Sequence, residues 1–331
     1  MKQHLAKLLG GQRLSEDEAA AAMATIMDGA VTPAQIGAFL AALTVRGETE
    51  DEVVGFARAM RDRATPVRSR GAIDIVGTGG DGAGTINVST ISSLVIAACG
   101  VSVAKHGNRA ASGRCGAADV LEALGVKIDP SLETVQRCLD EIGWTFLFAP
   151  AFHAATRHAV GPRKELGVRT AFNLLGPLTN PARPEALVVG VPRAELTSFV
   201  ARCLKRLGAR RAWVVHGSGL DEMTLDGTTS VAVLNGAVHE GTITPEDAGL
   251  ARASRDVLRG GDAAENATIA LAILKGEQGP RRDVIVLNAA AGLVVAERAS
   301  DLKQGAAQAA AAIDDGRALT LLERVKEASH V

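Results

Sequence analysis

Five glycines fall between Gly77 and Gly84 in the stretch Gly77-Thr-Gly-Gly-Asp-Gly-Ala-Gly-Thr85. A turn this rich in glycine lets backbone N–H groups approach an anion with no Cβ in the way. The match to Gly-x-Gly-x-x-Gly is literal, but a dinucleotide site expects an acid at the end of the next strand, to hold a ribose hydroxyl. Here the next strand leads into Lys105 and His106. No Gly-Lys-Ser/Thr follows either, which excludes a P-loop. The chemistry expected is a phosphate cradle of another kind.

Three more segments carry reactive groups. Lys105-His-Gly-Asn-Arg109 crowds two cations and two hydrogen-bonding groups together, and charge-assisted bonds to phosphate are strong. Asp221-Glu222 sets two carboxylates side by side, which beside a phosphate suggests Mg²⁺, a hard ion that takes carboxylates and substrate oxygens. Arg163, Lys164 and Arg169 are cations suited to an organic carboxylate, or to a solvated helix face. Asp81 would repel phosphate unless it orients amides or metal-bound water. No Ser/His/Asp or Cys/His nucleophile arrangement is present. Taken together, the segments point to an enzyme acting on a phosphorylated, pyrophosphate-bearing substrate with a divalent metal.

The elements that must hold these groups follow from patterning. Residues 1 to about 65 read as helices, punctuated by three capping boxes: Ser15 with Glu18, Thr32 with Gln35 and Pro33, and Thr49 with Glu52. Ile36, Phe39, Leu40 and Leu43 make one apolar helical face that must bury against other helices or a second subunit. From about residue 70, short apolar runs alternate with helical stretches. The expected strands are 72–76, 101–104, 144–148, 186–191, 211–216, 230–234 and 283–287. This is the pattern of a mainly parallel sheet covered on both faces, with ligands at the carboxyl ends of its strands. A basic helical segment spans 152–169, and 306–312 reads as part of an alanine-rich helix.

The whole chain narrows the classes further. It has 331 residues, enough for one large domain plus a small one. A net charge of −1 and the absence of Tyr argue against a nucleic-acid binder or an anionic-membrane binder. The four cysteines are scattered, as in a reducing compartment such as the cytoplasm. The N-terminal segment has no apolar signal core. The uncharged run 82–104 contains Asn87, Ser89, Thr90 and Gly100, and breaks into helix, turn and buried strand better than it forms a membrane span.

In combination these segments resemble the anthranilate phosphoribosyltransferase family over nearly the whole chain. The resemblance rests on the Gly77 loop, Asn87-Val-Ser-Thr90, Lys105–Arg109, Ala118–Gly125, Asn173-Leu-Leu-Gly-Pro-Leu-Thr-Asn180, Gly219–Thr224, Gly260–Asn266 and Leu287–Ala291. It implies a small helical domain, residues 1–68 completed by about 150–180, on a large α/β domain of residues 69–149 and 181–331. It also implies a homodimer through the helical domain and a role in tryptophan biosynthesis. The implied phosphoribosyl pyrophosphate site is Gly77, Gly79, Gly80, Asp81, Thr85, Asn87, Ser89, Thr90, Lys105, Asn108, Ser112, Gly113, Cys115 and Ala117. The implied anthranilate site is Gly77, His106, Asn108, His153, Arg163 and Gly176, and the implied Mg²⁺ contacts are Ser89, Asp221 and Glu222.

The chain departs from the family in places. Cys115 and Ala117 stand where hydroxyl residues are common, so backbone amides would have to replace side chains there. His153-Ala-Ala-Thr156 replaces His-Pro-Ala-Met, and Gly161-Pro162 replaces Pro-Val, along the expected aromatic channel. A pyrimidine-nucleoside phosphorylase shares the architecture, but the Asp221-Glu222 pair and the Asn173 segment argue against it.

Overall fold

The computed structural model describes residues 1–79, 82–110 and 113–331. Gly80, Asp81 and Ser112 lie outside the described residues.

The helical start is α1 (Lys2–Leu9), α2 (Glu16–Met27), α3 (Pro33–Arg46) and α4 (Glu50–Arg61). All three expected capping boxes form, each with both reciprocal bonds. The predicted face of α3 is buried, against Phe56 of α4 among others. Beyond the sheet's first half come α8 (Ala149–Phe152), which packs on the end of the third strand, and α9 (Arg157–Leu166) and α10 (Phe172–Leu178), which return to pack on these helices, and Ala159, Phe172 and Leu175 share their core.

The remaining elements alternate. In chain order they are β1 (Ile73–Gly77), α5 (Val88–Ala98), β2 (Val103–Gly107), α6 (Ala117–Ala123), α7 (Leu132–Arg137), β3 (Trp144–Phe148), β4 (Ala186–Gly190), α11 (Leu196–Arg206), β5 (Arg211–Gly217), β6 (Thr229–Asn235) and β7 (Ala237–Ile243). Four helices follow: α12 (Ala263–Leu274), α13 (Pro280–Val295), α14 (Leu302–Asp314) and α15 (Arg317–Ser329). Among the described residues the strands form one sheet in the order β3-β2-β1-β4-β5-β6-β7. It is parallel from β3 to β5, and β6 and β7 are antiparallel. One face packs on α5, α13, α14 and α15, and the other on α11 and the helical start.

Two strand expectations need correcting. Residues 283–287 are part of helix α13, not a strand. Val284 to Leu287 are buried on every side, so their apolar run carries no helical period, and only its continuation through Ala289–Val295 reveals a helix. Strand β7 was not expected, because most of its residues are exposed at the sheet edge and show no apolar alternation. Its signal was the Asn235-Gly236 turn, with Gly236 at φ 70°. No helix among the described residues is long and apolar enough to cross a membrane.

Candidate active site

The carboxyl ends of β1, β2 and β5 and the start of α5 surround a cavity of about 560 Å³, closed on its far side by α8–α10. Every described residue of the implied phosphate, aromatic-acid and metal sets lines it. Lys164 does not, and of the Arg and Lys side chains in the basic segment only Arg157 and Arg163 do.

Asp221 and Glu222 reach this place because glycines let the backbones touch. A Cβ on Gly190 would meet the Asp221 carbonyl oxygen at 1.5 Å, and one on Gly77 would meet Asp221 Oδ2 at 2.3 Å. Asp221 Oδ2 accepts the Gly79 N–H at 2.6 Å, and Glu222 Oε1 accepts the Ser89 N–H at 3.1 Å. The second bond places a carboxylate at the positive N-terminal end of α5, where negative charge is favoured. With the Ser89 hydroxyl these groups form a hard-oxygen set. Among the described residues no cluster of three or more His, Cys, Asp or Glu forms. Mg²⁺ does not need one, since it usually takes one or two carboxylates plus substrate oxygens and water.

Lys105 and His106 lie inside β2, not in a loop after it, which corrects the expected strand of 101–104. A cation can sit in a buried strand here because Lys105 Nζ donates to Ile75 O at 2.7 Å and to Ser89 Oγ at 3.3 Å. His106 Nδ1 donates to Gly176 O at 3.0 Å, which fixes the tautomer and leaves Nε2 as an acceptor. Burial pushes the His106 imidazole down to about 3. The His153 ring lies beside it, centroids 5.2 Å apart and tilted by 54°, and its proton affinity is lowered by burial too. Neither Nε2 has a partner among the described residues.

Arg163 lies over the Phe172 ring at 4.8 Å. Burial lowers its affinity for a proton, and no acidic partner is near it among the described residues. A guanidinium held in this way suits a planar carboxylate. Arg109 differs: its charge is committed to Asp119 and Glu122. Arg169 donates to Gly79 O at 2.9 Å and so braces the glycine loop. Asn87 caps no amide of α5; its side chain donates to Cys115 O and accepts from Asn266 Nδ2.

Two buried groups of this region had no assigned role in the sequence reading, Asp74 and Asn180. A carboxylate inside the apolar strand Ile73–Val76 was the available signal, because an acid is almost never fully buried unless paired.

Residues 69–319 match the family described as "Glycosyl transferase family, a/b domain", and residues 2–64 match "Glycosyl transferase family, helical bundle domain". The anthranilate phosphoribosyltransferase of Moorella thermoacetica is 54% identical over 98% of this chain and 96% of its own. This chain belongs to that family. The crystal structure of anthranilate phosphoribosyltransferase from Thermus thermophilus superposes with a TM-score of 0.94 at 47% identity, over 99% of each chain. The Saccharomyces cerevisiae enzyme, in complex with PRPP and Mg, gives 0.90 at 28% identity, over 99% of this chain and 97% of its own.

Proposed function

We propose that this chain transfers the 5-phosphoribosyl group from phosphoribosyl pyrophosphate to the amine of anthranilate, with Mg²⁺, in tryptophan biosynthesis. The products are N-(5-phosphoribosyl)anthranilate and pyrophosphate. One observation carries the reading. A single cavity has the Lys105 cation, the α5 N-terminus and the Asp221-Glu222 pair on one wall, and uncharged imidazoles with the half-buried Arg163 guanidinium on the other. The first wall suits a metal–pyrophosphate, and the second suits an aromatic acid.

The carbon–oxygen bond at the anomeric carbon breaks with its electron pair leaving on pyrophosphate, the amine nitrogen bonds to that carbon, and the nitrogen gives up a proton to the released pyrophosphate or to water. Lys105 stabilises the charge that builds on the departing pyrophosphate. Asp221, Glu222 and Ser89 would hold Mg²⁺, which when bound offsets pyrophosphate charge. Arg163 fixes the carboxylate of the acceptor and so aims its amine. An aromatic amine is neutral at pH 7, and the neutral imidazoles beside it leave its lone pair available. Cys115 and Ala117 contribute no hydroxyl, so phosphate contacts there fall to backbone amides.

We assign residues 1–68 with about 150–180 to the helical domain, supported by their shared core. A homodimer through that domain is supported by Leu9 and Val45, which are 75% and 89% exposed on α1 and α3. A cytoplasmic location fits the four free thiols. The decisive experiment follows anthranilate fluorescence with phosphoribosyl pyrophosphate and Mg²⁺, with and without chelator. Metal-dependent loss requiring both substrates is expected. Phosphate-dependent cleavage of a nucleoside instead would overturn the reading.

A further inference from the structure

The sheet is interrupted where the cavity opens. β1 pairs with β4 at five positions and β2 pairs with β3 at five, but β1 and β2 pair at one, Ile73 with Val103. Had the ladder continued in register, Ile75 would face Lys105. The Ile75 N–H would then bond Ala104 O, and the His106 N–H would bond Ile75 O. Buried backbone groups must find partners, and here side chains supply them. Asn180 Nδ2 donates to Ala104 O at 2.8 Å, and the His106 N–H donates to Asp74 Oδ1 at 3.4 Å. Lys105 Nζ donates to Ile75 O at 2.7 Å. Asn180 Nδ2 also donates to Asp74 Oδ2 at 2.8 Å, and the Asn180 carbonyl accepts the Ala182 N–H. Asp74 and Asn180 are both 0% exposed.

We propose that Asp74 and Asn180 form a buried wedge that holds β1 and β2 apart, and that both are positioning residues for the transfer. The wedge fills the gap that a closed ladder would remove. It sets where β2 presents Lys105 to the pyrophosphate side and His106 to the aromatic side. Asn180 closes the segment that begins at α10, so the wedge also fixes the Gly176 carbonyl relative to His106. One pair of side chains therefore sets the spacing of the two half-sites, a role that rests on the proposed function.

The carboxylate of Asp74 accepts one donor on each oxygen, whereas an amide there has a single acceptor oxygen and adds an NH₂. D74N should therefore orphan at least one buried group and let the strands shift. Expected is a rise of about tenfold or more in the Michaelis constants for both substrates together. N180A, which leaves β1 intact, should do the same and carries the test if D74N does not fold. I313A, a core change in α14 far from the cavity, is the control for instability. At a matched loss of Tm it should leave both constants unchanged. Amide exchange at His106 should quicken in D74N, a readout that needs no turnover. Folded D74N and N180A with both constants within about twofold of wild type would overturn the wedge. So would kinetic losses that I313A reproduces. If the wild-type chain transfers nothing, the proposed function fails, and the exchange rates still decide on the wedge.

Discussion

Helices α3 and α5 begin in opposite ways. In α3, Thr32 accepts the Gln35 N–H and the Gln35 side chain returns a bond to the Thr32 N–H, so the first turn is closed by residues three apart. In α5, the Asn87 side chain caps nothing of its own helix, and the Ser89 N–H is taken by Glu222, 133 residues further on. The helical start repeats the first arrangement at α2 and α4, and the cleft repeats the second at Gly79 and Asp221. Local caps satisfy the first turn of their own helix, and at α4 the capping Glu52 also takes the Leu14 N–H at 2.9 Å to anchor the loop before α2. A cap brought from across the chain ties two segments together and puts a carboxylate into the cleft, at the site proposed for metal and pyrophosphate. The difference separates the part of the molecule built for stability from the part built for chemistry.

The strongest way to break this comparison is D221N with E222Q. The amide side chains keep their size and can still accept from Gly79 and Ser89, but they are poor ligands for Mg²⁺. Loss of the response to Mg²⁺, with kcat lower by about 10²–10³-fold, is the expected outcome. A magnesium titration of the steady-state rate measures it. Normal metal dependence in the double variant would show that the carboxylates act only as caps.

Arg163 tests the other wall of the cleft. Truncating a buried charged partner costs roughly 2–5 kcal/mol, so R163A should raise the Michaelis constant for anthranilate by about 30-fold or more. The proposed role puts Arg163 on the acceptor and not on the leaving group, so the constant for phosphoribosyl pyrophosphate should hardly move. Initial rates with each substrate varied in turn separate the two. A normal anthranilate constant would remove Arg163 from the site.

The same contrast explains what the sequence revealed. Capping boxes are local, and all three were legible from spacing alone. Six of the expected strands form, within a few residues at each end. The buried run at Val284–Leu287 misled, because full burial erases the period that tells helix from strand. The cleft was legible by residue type and resemblance, yet its geometry was not. Nothing in Lys105-His106 shows that β2 runs through them, since that depends on a buried ammonium finding Ile75 O thirty residues away. The interruption between β1 and β2 is a matter of register between strands, which no single segment encodes.

His106 gives a smaller effect with a definite sign. A free histidine takes up a proton near 6.5, whereas the folded protein holds His106 down to about 3 through burial, with His153 and Lys105 adding repulsion. Between those values the unfolded chain binds more protons, so this group's contribution to stability falls as pH drops from 6.5 toward 3 and is flat above. H106N lacks that dependence. Its stability relative to wild type should improve between pH 7 and pH 5, as measured by urea unfolding at each pH. A constant difference would mean that His106 titrates normally in the folded state.

The least effect belongs to a cap that serves stability alone. T32A removes the side-chain acceptor of the Gln35 N–H and ends the reciprocal box at the start of α3. The cost should be about 1 kcal/mol of folding free energy, or roughly 2 °C in Tm for a chain of this size. Thr32 does not line the cleft, so both Michaelis constants and kcat should match wild type at temperatures where the protein is folded. A calorimetric scan and one pair of saturation curves suffice. A changed constant for either substrate would be the more instructive result. It would mean that α3 transmits strain into α9, on which it packs and which carries Arg163. The helical start would then take part in catalysis, and the division drawn between local and long-range caps would fail.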